Sequence, residues 1–77
     1  MRILNLRVEQ IGRSMDGRNL LVARGRDVVR GWAFAVLVPA TEGDRVVTQV
    51  RAGAWPEIKV PEHLALPWSG VLPVDWE

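Results

Sequence analysis

The sequence predicts an all-β fold, a small partly closed barrel or sheet of four to five short antiparallel strands. Apolar residues alternate at period two in several separate stretches, which is the spacing of strands that bury one face. Glycine, proline and Asp-Gly signals interrupt those stretches roughly every eight to twelve residues, as turns do in small β domains. Valines crowd the segments where a helix would otherwise be drawn, and β-branching favours an extended chain. The alternative is α+β, with one helix at 18–30 packed on a three-stranded sheet.

The first strand is the clearest. Leu4, Leu6 and Val8 fall on one face and Asn5, Arg7 and Glu9 on the other, over residues 2–11. Gly12 and the stretch SMDGRN then supply turn chemistry, because Asp16-Gly17 is a strong turn dipeptide and Asn19 tolerates positive φ. Residues 12–31, GRSMDGRNLLVARGRDVVRG, hold five arginines and four glycines. As a helix, this stretch would gather Leu21, Val28, Val29 and Trp32 near one face. It would also set Gly25 in mid-helix, at about 1 kcal/mol relative to alanine. Strands are preferred: Leu20 and Val22 alternate with Leu21 and Ala23, RGRD turns the chain, and a second strand starts at Val28.

Further along, Trp32, Phe34, Val36 and Val38 share one face, expected in the core, while Gly31, Ala33, Ala35 and Leu37 share the other. Pro39 ends that strand, and ATEGD at 40–44 reads as a loop. RVVTQVRA is expected to be the return strand, with Val46, Thr48 and Val50 on one face. Trp55-Pro56 breaks it. EIKV at 57–60 reads as a short last strand, and PEHLALP at 61–67 as a single helical turn bounded by prolines. The tail, residues 68–77, is expected to be an extended apolar strap.

Seventy-seven residues allow one domain, here 1–77, with little core to spare. There is no cysteine and only one histidine, so apolar area must replace disulfides or metal. Hydrophobic residues make up 48% of the chain, and Trp32, Trp55, Trp68 and Trp76 are expected to be core. The start shows no secretory signal, and the longest apolar run, residues 32–40, is about half of the ~20 residues a membrane helix needs. The expectation is a cytoplasmic chain without membrane contact. Charge is divided along the sequence. Residues 1–30 carry a net +4 and residues 31–77 a net −3, giving the chain its +1.

No constellation for catalysis emerges. His63, Ser69 and Asp75 make a serine triad only on paper, without the strand-turn-helix context that exposes such a serine. Glu57, Glu62 and His63 lack metal-ligand spacing. Gly12, Gly17, Arg18 and Asn19 imitate the phosphate loop G-x-x-x-x-G-K-[ST]. Arginine replaces the lysine, however, an amide replaces the magnesium-binding hydroxyl, and no parallel sheet fits in the remaining chain. The expectation is a non-enzyme with no cofactor, no metal and no small-molecule substrate.

Two binding classes remain. The apolar tail offers Trp68, Val71, Leu72 and Trp76 to a protein partner or a second copy, and tryptophan with arginine is the composition of binding hot spots. Arg13, Arg18, Arg24, Arg26 and Arg30 are the candidates for nucleic-acid contact, since arginine grips phosphate and stacks on bases. A pI near 8.5 is below the usual footprint of dedicated nucleic-acid binders. Protein contact is therefore the preferred reading and nucleic acid the alternative. Size alone suggests a stand-alone accessory protein or inhibitor of the kind phages and mobile elements carry.

Overall fold

The computed structural model describes residues 2–66 and 73–77. Its strands are β1 (Ile3–Ser14), β2 (Leu21–Asp27), β3 (Ala33–Leu37), β4 (Glu57–Pro61), β5 (Ala65–Leu66) and β6 (Val74–Trp76), with one α-helix, α1 (Gly43–Arg51). The strands form a single antiparallel sheet in the order β4-β1-β2-β3-β5. The long β1 serves two partners along one edge: Ile3–Arg7 pair with β4, and Gly12–Ser14 pair with β6.

Chain connectivity forces this sheet to curl. β4 and β5 lie at opposite margins, yet only a 3₁₀ turn, Glu62–Leu64, joins them. Four residue steps span at most about 14 Å even when fully extended. Four strand spacings in a flat sheet would need about 19 Å. The result is a half-barrel, closed far enough for three residues to carry the chain from one margin to the other.

A β-bulge sets the phase of the core. Val8 stands opposite Gly25 and Gln10 opposite Arg24, so Glu9 is the extra residue in β1. Before the bulge Leu4, Leu6 and Val8 face inward; after it Ile11 does. The inserted residue thus lets Ile11 follow Val8 into the core at a spacing of three, without interrupting the strand. Gly25 is required at this point, because a Cβ there would collide with the Arg7 carbonyl. Leu6, Val8, Ile11, Val36, Ile58 and Val60 form the concave core, and α1 closes it with Val46 fully buried and Val47 and Val50 packed against it.

The helix is the main departure from the expected strand at RVVTQVRA. Its C-terminus is well specified. Gly53 adopts φ +83°, its N–H donates to the Val50 carbonyl at 3.0 Å, and the Ala54 N–H donates to the Gln49 carbonyl at 2.9 Å. That is a Schellman motif with glycine in the left-handed position. Asp44 in the first turn and Arg51 in the last suit the helix dipole. A further correction concerns RGRD, which continues β2 instead of turning the chain; the turn is Val28-Val29-Arg30. The alternative helix at 18–30 is excluded, since β2 pairs along its length with β1 and β3. The expected first strand, the Asp16-Gly17 turn, the strand at 57–60 and the helical turn after Pro61 are all present.

Candidate functional site

Two surfaces of the half-barrel stand out, and both are built around β2. The first is the turn between β2 and β3. Asp27, almost wholly buried, organises it: its carboxylate accepts the Arg30 backbone N–H at 3.3 Å and lies 3.7 Å from the Arg30 guanidinium. The Asp27 N–H donates to the Trp32 carbonyl at 2.9 Å, and the Gly31 N–H donates back to the Asp27 carbonyl at 2.7 Å. Gly31 takes φ +76°, which L-residues with a side chain rarely adopt. The Val28 N–H ties the turn to the Asn5 carbonyl of β1 at 2.9 Å.

This firmly held tip points large apolar groups at water. Val29 is 83% exposed, Trp32 60% and Val28 38%. Arg30 lies over the Trp32 ring, 5.3 Å from its centroid, a cation–π contact. Placing Trp32 and Trp55 in the core is thus overturned, for Trp55 is 66% exposed in the loop before β4. Among the described residues the buried side chains of the core are aliphatic, and Trp32 lies one residue before β3 begins, outside the paired part of the sheet.

The second surface is the outer, convex face of the sheet. Strand alternation sends Arg7, Arg26 and Lys59 outward, opposite in phase to the buried Leu6, Gly25 and Ile58. Arg7 and Arg26 stand directly opposite each other in the β1–β2 ladder, and Lys59 stands opposite Asn5, two residues before Arg7. Arg26 is only loosely neutralised, 4.0 Å from Glu9, and donates to the Gly31 carbonyl at 3.2 Å. Among the described residues, the side chains of Arg7 and Lys59 make neither an ion pair nor a hydrogen bond.

The five arginines singled out from the sequence are dispersed. Arg13 donates to the Asn19 carbonyl at 3.5 Å and lines a pocket of about 310 Å³ with Leu21, Val38, Asp44 and Val47, at the helix end of the half-barrel. Arg18 folds back on Asp16 in the β1–β2 turn, donating to its carboxylate at 2.7 Å. That guanidinium, with the Arg18 backbone N–H, lowers the Asp16 carboxyl from 3.8 to about 2. Arg24 lies over the Trp76 ring at 5.7 Å. Arg26 belongs to the outer face and Arg30 to the tip. Trp76 is half-buried in β6 opposite Gly12. Trp68, Val71 and Leu72 lie outside the described residues, as does Ser69. His63 is exposed, next to a Glu62 that pairs with Arg2 at 3.5 Å.

Sequence reasoning missed the tip and two of the three outer cations. Arg7 was legible as an outward residue from the alternation in β1, but its confrontation with Arg26 follows from register. Among the described residues, no three His, Cys, Asp or Glu side chains gather to hold a metal ion, and no helix is long and apolar enough to cross a membrane. Neither a family model, nor a curated protein, nor a solved structure matches the chain.

Proposed function

We propose that this protein is a non-enzymatic binding domain that engages a protein partner through the β2–β3 tip. The observation that carries the reading is the exposure of Val29 and Trp32 on a turn held by backbone hydrogen bonds and a buried carboxylate. An apolar group on a rigid support loses little conformational freedom when it is covered, so most of its burial energy remains available for association. With 60% of Trp32 exposed, a partner that covers it removes roughly 90–150 Å² from water. At 25 cal/mol per Å² that is about 2–4 kcal/mol, the size of a hot-spot contribution. Arg26 and Arg30 flank the tip, which favours a partner with an apolar centre and an acidic rim.

The test compares wild type with a Val29→Ser/Trp32→Ser variant whose circular dichroism is unchanged. Both serve as bait for affinity capture, and both are examined by sedimentation velocity. A protein held by wild type and lost by the variant, or self-association lost in the variant, supports the tip as the interface. Identical capture and identical sedimentation refute it.

A further inference from the structure

We propose that the outer face of the sheet is a second binding site, which takes single-stranded nucleic acid along the stripe Lys59, Arg7 and Arg26. The stripe shares Arg26 with the rim of the tip, whereas Lys59 and Arg7 belong to the stripe alone. The first argument is an electrostatic cost that is only partly offset, by Glu9 lying 4.0 Å from Arg26. Directly opposed residues on an antiparallel pair have Cβ atoms about 5 Å apart, and like charges there destabilise the sheet. Arg7 faces Arg26 in this way, while Glu57, opposite Arg7 on its other flank, forms no ion pair with it among the described residues. A small domain that keeps cations confronted on an open face has a place for an external anion.

The geometry points to a line of anions. Lys59 lies diagonal to Arg7, a separation of about 7–8 Å, so the three charges run obliquely across β4, β1 and β2. Arginine offers a planar fork suited to phosphate, and Asn5 and Gln10 lie on the same face as further amide donors. An acidic peptide is less well served. Its usual footholds are a free sheet edge or an apolar pocket. Of the three strands that carry the stripe only β4, with Lys59, lies at a margin; β1 and β2, with Arg7 and Arg26, are hydrogen-bonded on both sides. A duplex is also a poor match: it is a stiff rod with two backbones flanking a groove about 12 Å wide, whereas this face is convex and its cations form one line. A flexible single strand can follow the curve.

Fluorescence anisotropy of a labelled oligothymidylate tests the site, with wild type, Arg7→Ala/Lys59→Ala and the Val29→Ser/Trp32→Ser tip variant. Three phosphate contacts on a single strand give a slope of about −2 in log affinity against log salt, a loss of about 18-fold between about 50 and about 200 mM. Removing Arg7 and Lys59 should reduce that loss to about 3-fold and weaken binding at the lower salt. The tip variant should bind the oligonucleotide like wild type. Absence of binding at about 50 mM salt, an unchanged slope in Arg7→Ala/Lys59→Ala, loss of binding in the tip variant, or equally tight binding of duplex or of polyglutamate would each overturn the assignment.

Discussion

Val46 and Thr48 lie two positions apart in a segment whose alternation suits a strand, and truncating each to alanine distinguishes strand from helix by sign. In α1, Val46 is fully buried against the concave core, while Thr48 is exposed. Val46→Ala removes two methyl groups, about 1.6 kcal/mol in transfer energy at about 0.8 each. A residual void of roughly 40 Å³ adds about 1 kcal/mol at 24 cal/mol per Å³. Alanine returns about 0.5 kcal/mol of helix propensity. The net loss is about 2 kcal/mol, or roughly 8–16 °C in Tm for a domain of this size. Thr48→Ala removes no buried group and gains the same propensity, so it should stabilise by up to about 0.5 kcal/mol. Were these residues a strand with Val46, Thr48 and Val50 on one face, both substitutions would destabilise, since threonine favours the extended chain over alanine. Urea unfolding followed by far-UV circular dichroism provides the comparison. A destabilised Thr48→Ala together with a Val46→Ala loss under about 1 kcal/mol would refute the helix as the lid of the core.

Gly25→Ala should cost at least about 3 kcal/mol, because relieving the collision with the Arg7 carbonyl opens the β1–β2 ladder and forfeits several hydrogen bonds at about 1 kcal/mol each; a near-normal urea midpoint would contradict the close approach. Glu57→Gln removes the acid opposite Arg7 and leaves Arg7 confronting Arg26, so it should lower stability by about 0.2–1 kcal/mol at low salt, a loss that shrinks as salt is added. If the loss were independent of salt, charge would not be its cause. The depressed Asp16 carboxyl makes the Asp16–Arg18 contact a stabilising feature above pH 3.8 that fades as pH falls through about 2. An NMR titration should place the Asp16 midpoint well below the ordinary aspartate range, and Arg18→Ala should raise it part of the way back, since the backbone N–H of residue 18 still donates to the carboxylate.

Much of this fold is written locally. Leu4, Leu6 and Val8 alternate against polar neighbours, and only an extended chain puts them on one side. Asp16-Gly17 and Asn19 turn the chain, with Gly17 at φ +91° and Asn19 at φ +53°, because these residues tolerate the left-handed region. Pro61 opens the 3₁₀ turn that links the sheet margins. The segment RVVTQVR, by contrast, satisfies two periods at once. Val46, Thr48 and Val50 fit a strand, while Val46, Val47 and Val50 fit one side of a helix, and only the open concave face of the sheet chooses between them. Gly53, two residues after Arg51, was the one local sign of a helix end. RGRD looked like a turn because glycine and charges usually mark one; it became a strand because a residue eighteen positions earlier, Arg7, brings its backbone too close for any side chain at Gly25. The candidate surfaces have the same origin. Periodicity tells which way a side chain points along one strand, but the pairing of Arg7 with Arg26, and the stranding of Trp32 beyond the sheet, depend on register and curvature, and those are set by contacts between residues far apart in the chain.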